Sequence, residues 1–154
     1  MFARSHQDLH RVRRSVERVR TLSDRVIGIG PFGLGMDGIT AWIPGVGALY
    51  TVGAAGFLML QAVRARAGAG TLLHMGAVLF VDAVTDLVPV PAIPAVVDMM
   101  FTGHKWAADA LLRHMDRTVY YEGSRAQGEA DPEFRAHLDH LKRSGGGRRV
   151  IYLG

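Results

Sequence analysis

The sequence predicts an all-α fold in which two pseudo-repeated apolar helical hairpins, broken at glycine and proline, follow a basic amphipathic helix and precede a short C-terminal helix and tail. Three observations carry this. Leu9, Val12, Val16, Val19, Leu22 and Val26 recur every three or four residues, the spacing that lines one face of a helix. No charged residue occurs from Gly38 to Val63. The frame D-G-I-T-A-W-I-P of Asp37 to Pro44 returns 45 residues later as D-A-V-T-D-L-V-P at Asp82 to Pro89. An acid, a threonine three positions on and then a proline, placed twice in the most apolar part of the chain, read as a repeated structural device.

The first element is a helix over 5–27. Arg11, Arg13, Arg14, Arg18 and Arg20 fill much of its remaining surface. That pattern suits a helix lying on an anionic membrane surface, and equally an ordinary helix packed on its own domain. Pro44, Gly45 and Gly47 then interrupt the apolar run near its start. Residues 47–63 form the next helix, ending at Arg64 and Arg66, and the small residues Ala67 to Gly70 predict a turn. A second apolar run starts at Thr71, passes His74, Asp82 and Asp86, and breaks at Pro89, Pro91 and Pro94. A third helix runs from Pro94 to about Arg117, with Asp98 one turn in. Glu122 to Asp131 is small and polar and reads as a linker. Asp131-Pro132-Glu133 supplies a capping acid, a proline at the first helical position and an acid in the first turn, so a short helix starts there and ends before Gly145-Gly146-Gly147. The tail Arg148 to Gly154 holds Val150, Ile151, Tyr152 and Leu153; it is expected to be disordered alone or to dock onto a partner. The organisation is therefore 1–27 basic helix, 28–118 apolar repeat core, and 119–154 linker, short helix and tail.

Composition narrows the class. The chain has 154 residues, 21% charged and 49% hydrophobic, a mean hydropathy of +0.13 and no cysteine. Disulfides and thiolate metal sites are thereby excluded. The net charge of +4 suits anionic lipid headgroups or nucleic acid. Phe2 to Arg25 is too charged to be a secretory signal. The uncharged stretch from Gly38 is long enough to cross a hydrocarbon core about 30 Å thick, but its breaks argue against a plain span. The N-terminal helix, the Arg64/Arg66 turn and the C-terminal region are all basic, so two ordinary spans over 42–63 and 71–94 would put one basic group on the wrong side, an objection that re-entrant hairpins entering and leaving one face would remove. Membrane integration, spanning or re-entrant, is the favoured reading, with the N-terminal helix on the cytoplasmic side. The competing reading is a soluble all-α domain with buried helices.

No catalytic constellation is present: no G-x-S-x-G, no G-x-x-x-x-G-K-[ST] and no H-E-x-x-H. Gly28 to Gly33 matches G-x-G-x-x-G outside any strand–turn–helix unit, which rules against dinucleotide binding. His137 and His140 read as solvated surface histidines rather than metal ligands. No cofactor or metal is expected, and the protein is expected not to be an enzyme. Asp37, Asp82, Asp86 and Asp98 are the chemically interesting residues, because acids in apolar segments are expensive. Asp37 and Asp98 are read as caps for free backbone N–H groups, with Thr40 and Thr85 satisfying carbonyls freed near Pro44 and Pro89. The alternative is a proton or ion path along His74, Asp82 and Asp86, the two acids being one turn apart. Gly53 and Gly56, with Ala54 and Ala55, offer a close-packing face within the chain or between copies.

The segments L-G-M-D-G-I-T-A-W-I-P-G-V-G (Leu34 to Gly47) and V-D-A-V-T-D-L-V-P-V-P-A-I-P-A-V-V-D (Val81 to Asp98) resemble the domain of unknown function 4112 family, over roughly residues 20 to 115. Ala48 and Ala95 stand where that family usually has Asp after each turn glycine. Gly103-His104-Lys105-Trp106 replaces its Asn-rich stretch. The resemblance implies a small helical, membrane-associated protein with no reaction attached and, as the family occurs in bacteria, a bacterial inner-membrane location. The expectation is a non-enzymatic protein acting through protein–protein or protein–lipid contact, an accessory subunit of a larger membrane complex. Its partners would be anionic headgroups and other membrane subunits or itself, with no nucleic acid and no small-molecule substrate. The alternatives are the ion or proton pathway above and, more weakly, a soluble basic nucleic-acid-binding protein.

Overall fold

The computed structural model describes residues 2–28, 46–87, 94–145 and 148–154. Four long helices carry it: α1 (His6–Gly28), α2 (Val46–Arg64), α3 (Ala69–Leu87) and α4 (Pro94–Asp116). They are followed by β1 (Thr118–Tyr121), α5 (Arg125–Ala130), α6 (Pro132–Arg143) and β2 (Arg149–Tyr152). The fold is all-α, with one short two-stranded parallel ribbon among the described residues.

The start of α1 is fixed by reciprocal capping. Ser5 Oγ accepts the Asp8 amide, and the Asp8 carboxylate accepts the Arg4 amide, each at 3.2 Å. That backbone bond from Arg4 is the main reason the Asp8 carboxyl titrates below its ordinary range. Leu9, Val12 and Val16 are buried and Val19 packs beside them, whereas Leu22 is exposed. The steps from Val16 to Val19 to Leu22 are two threes in succession, each about 60° short of a full turn, which carries Leu22 off the core face.

Helix α4 packs extensively against both α1 and α3, with α2 across from it. Arg13 donates to Asp116 at 2.7 Å and Arg20 meets Asp109 at 2.8 Å, so α1 and α4 run antiparallel. Each pair is one partner further along one helix and one further back along the other, two turns apart. Asp82 on α3 meets His104 on α4 in the same antiparallel sense, and the Ala3 amide donates to the Arg64 carbonyl at the end of α2. The result is an up-and-down four-helix bundle. Its core holds Val16, Leu58, Met75 and Leu111 with no exposure, beside Ala62, Ala65, Ala107 and Ala108. These alanines let the backbones approach, and the larger residues fill the layers between them.

Helix α2 closes in a Schellman turn: the Arg66 amide donates to Val63 O and the Ala67 amide to Ala62 O. Arg66 takes φ 53° there, a left-handed conformation that usually goes to glycine. Its guanidinium donates to the carbonyls of Tyr152 and Leu153, so the side chain offsets the backbone cost by tying down the C-terminus. The tail, expected to be disordered alone or to dock onto a partner, is instead docked within its own chain. It pairs in parallel with β1, from Thr118 opposite Arg149 to Tyr121 opposite Tyr152, and buries Ile151 and Leu153.

The expected linker over 122–131 contains α5, held by a capping box between Ser124 and Gln127. Helix α6 starts as read from the sequence: Asp131 accepts the Glu133 and Phe134 amides and Pro132 occupies the first turn. The α1 start, the α2–α3 turn, the α4 end and the ribbon all gather at one end of the bundle. Asp37, Thr40, Pro44, Gly45 and Pro89 lie outside the described residues. Gly47 lies in the first turn of α2. Thr85, Asp86 and Asp98 lie in α3 and α4 with only their backbone described.

Candidate functional site

Asp82 is the one acid of the repeated frame whose side chain is described, and it is 4% exposed. Met75, Leu79 and Asp82 stand at i, i+4 and i+7, one face of α3, and all three are buried. Gly103 makes room for the acid. A Cβ on Gly103 would lie 2.6 Å from Asp82 Cγ and Oδ1 and 2.9 Å from its Cβ. The next residue, His104, is 6% exposed and places Nδ1 2.8 Å from Asp82 Oδ2. A buried carboxyl group answered by an imidazole across a helix interface fixes the register of α3 on α4, because any slide leaves both groups desolvated without each other. His74 does not join this pair. Eight residues amount to about 80° of rotation beyond two turns, and the His74 side chain is exposed. His74 and Asp82 of the expected line therefore do not share one buried face, and the Asp86 side chain lies outside the described residues.

The five arginines of α1 divide into two groups. Arg13 is held by Glu17 at 3.0 Å and Asp116 at 2.7 Å, and Arg20 by Asp109. These two clamp α1 to α4. Arg11, Arg14 and Arg18 lie at i, i+3 and i+7 on the solvent side, with Arg11 3.8 Å from Asp8.

The outer faces of α2 and α3 are apolar and uncovered among the described residues. Val52, Phe57, Leu60 and Val63 are exposed on α2, and Leu73, Phe80, Val81 and Val84 on α3, with Trp106 nearby in sequence on α4. Leu73 is 74% and Phe80 69% exposed. Both helices also bury apolar residues on their core faces, with Gln61 and Asp82 buried beside them and His74 exposed, so hydrophobic side chains lie on two sides of each, a pattern that normally belongs to a helix covered on both. Gly53 and Gly56 sit on the outer face of α2. A Cβ at either would meet nothing within 4 Å, so they do not mediate helix contact among the described residues. The reason is rotation: Leu58, Gln61, Ala62 and Ala65 take the core side. Among the described residues no helix is long and apolar enough to cross a membrane. His137 and His140 are exposed on α6. Among the described residues no group of three or more His, Cys, Asp or Glu is placed to hold a metal.

At the polar end, His114 lies 3.2 Å from Thr71 Oγ1, and Thr118 Oγ1 donates to the His114 carbonyl at 2.7 Å. Burial first, and the nearby Arg149 second, push the His114 imidazole below its ordinary value of 6.5. The Tyr120 hydroxyl donates to Ala65 O at 3.0 Å, and burial raises its titration above the ordinary range.

These features define a class: a small up-and-down helical bundle with an acid–imidazole pin inside and a large apolar face outside. The chain belongs to the family described as Domain of unknown function (DUF4112), whose model matches residues 12–115. The match runs from the first turns of α1 to the last turn of α4, so it takes in the bundle and leaves out the ribbon, α5 and α6. No curated protein and no solved structure matches the chain.

Proposed function

We propose that this is a non-enzymatic, membrane-associated protein that acts through lipid and protein contact, as an accessory part of a larger membrane assembly. The observation that carries the reading is the apolar outer face of α2 and α3, from Val52 to Val63 and from Leu73 to Val84. Contiguous apolar surface of this kind marks an interaction site rather than a solvent boundary. We assign its occupant as the acyl region of a bilayer. The exposed positions of α2 carry no charge until Arg64 at its last turn, and Arg66 follows in the turn. Apolar face bordered by arginine at one end is the polarity profile of a membrane interface, where long cationic side chains reach headgroups while their stems lie against hydrocarbon. The basic row Arg11, Arg14 and Arg18 adds attraction to anionic lipid. Attachment by a face, with part of the bundle in the interface, requires no crossing helix.

The test is fractionation of the tagged full chain, followed by carbonate and detergent washes. The expected result is retention in the membrane pellet through carbonate and release by detergent, after which gentle solubilisation co-purifies the partner subunits. Complete release by salt or carbonate overturns the assignment of lipid to this face. It leaves a protein partner as the cover.

A further inference from the structure

Two cavities flank Phe2 at the polar end of the bundle, and one of them joins the apolar face. It is an open cleft of about 440 Å³ lined by Phe2, Val63, Arg66, Ala67, Leu72 and Arg149. Its walls are of two kinds. Val63 and Phe2 are exposed apolar residues, and Val63 continues along α2 to Leu60. The other wall is cationic. Arg66 stands with its guanidinium 5.7 Å from the Phe2 ring centroid. Both of its terminal nitrogens donate to carbonyls of the tail, while Nε is buried and has no hydrogen-bond partner among the described residues. Arg149 is exposed and lies over Gly68, where an added Cβ would come within 2.5 Å of Nη1. No ion pair of Arg149 occurs among the described residues. The absence of a side chain at residue 68 is what seats this guanidinium at the cleft.

We infer that this cleft binds the phosphate of an anionic phospholipid, with Arg149 as the donor, the Arg66 guanidinium as a fixed positive charge in the wall, and Phe2, Val63 and Leu72 along the first part of an acyl chain. The inference rests on the membrane reading above and deepens it by naming the lipid class and its seat. The ligand has to be amphiphilic, because the donor and the apolar wall share one cleft that opens onto the lipid-facing surface of α2. It has to be anionic, because both polar side chains lining the cleft are guanidiniums, which match phosphate oxygens with paired N–H donors.

The experiment is sedimentation of the purified full chain with vesicles of phosphatidylcholine alone and of phosphatidylcholine mixed with phosphatidylglycerol. Inorganic phosphate is tested separately by thermal shift. The parent is expected to bind both vesicle types and to prefer the mixed ones. Arg149→Gln, a change at an exposed side chain, is expected to bind the mixed vesicles about fivefold more weakly and the neutral ones unchanged. Gly68→Ala, which keeps every charge but displaces the guanidinium, lowers the preference too. Arg135→Gln on α6 removes the same charge outside the cleft and is expected to keep the preference. A preference that Arg149→Gln leaves intact, or that Arg135→Gln reduces equally, overturns the site while leaving the membrane reading in place. Failure of the parent to bind either vesicle overturns both. Stabilisation of the parent by inorganic phosphate, absent in Arg149→Gln and unaccompanied by any vesicle preference, reassigns the cleft to a free phosphate and overturns the lipid.

Discussion

The Asp82–His104 pair makes the sharpest energetic statement in the bundle. His104→Ala leaves the Asp82 carboxyl under α4, 4% exposed, with the imidazole gone. Removing one partner of a buried pair costs about 3–5 kcal/mol. For a chain of 154 residues the entropy of unfolding near the midpoint is roughly 0.3 kcal/mol/K. The thermal midpoint of His104→Ala is therefore expected about 9–15 °C below the parent. Asp82→Ala leaves an imidazole that can sit uncharged, and the expected loss is smaller, about 1–3 kcal/mol. If the two groups hold each other, Asp82→Ala with His104→Ala costs less than the sum by about 1–3 kcal/mol. The assay is far-ultraviolet circular dichroism melting of the four proteins in one common medium. A loss under about 1 kcal/mol for His104→Ala, or strict additivity in the double variant, would refute the claim that the pair pins α3 to α4.

Gly103→Ala tests the close approach that makes the pair possible. Crowding Asp82 at 2.6 Å costs toward the upper end of about 1–3 kcal/mol. Alanine recovers roughly 1 kcal/mol of helix propensity, so a net loss remains; a melt at or above the parent midpoint would mean that the helices are further apart. His114 sets a pH dependence. Its folded-state pKa lies below the ordinary 6.5, through burial and then Arg149. The unfolded chain therefore takes up a proton that the folded chain resists, and this contribution is present above pH 6.5 and lost as pH falls below it. Melting across that range should show the decline in the parent and a flatter profile in His114→Gln. A decline identical in both assigns the effect to other groups. Asp8 and Asp131 are both held below the ordinary carboxylate range, in each case first by a backbone hydrogen bond, and lose their contributions only at more acidic pH.

Periodicity and punctuation made most of the helices legible. The apolar spacing of α1, the uncharged stretch of α2, the small-residue turn and the Asp-Pro-Glu start of α6 are all local signals, and local signals survive folding. What the sequence hides is pairing. Arg13 and Arg20 look like members of one basic face until α4 brings Asp116 and Asp109 opposite them at matching two-turn intervals. The parallel ribbon joins segments about thirty residues apart and has no turn chemistry to announce it. Helix α5 was readable, since Ser124 and Gln127 stand at capping-box spacing, but its small polar composition masks a short helix. His104 was visible only as a departure: histidine stands in the stretch where the resembled family is Asn-rich. That stretch follows a glycine, and the acid that needs it lies on another helix.

The described helices serve as controls for one another. The outer face of α1 carries Arg11, Arg14 and Arg18, and α6 exposes charged residues along its length. Where α1 and α6 are exposed, they carry charge. On the exposed positions of α3, from Ala69 to Val84, no Lys, Arg, Asp or Glu occurs, and on those of α2 from Val52 to Val63 none occurs either. Their inner faces carry Leu58, Ala62, Met75 and Leu79 together with the polar Gln61 and Asp82. A helix whose acid turns inward to an imidazole while phenylalanine, leucine and valine turn outward has the polarity expected in hydrocarbon, where ionisable groups face the bundle interior and find partners there. The same inversion accounts for both features of the molecule, because an acid on the outer face would oppose lipid contact and an acid inside needs the pin.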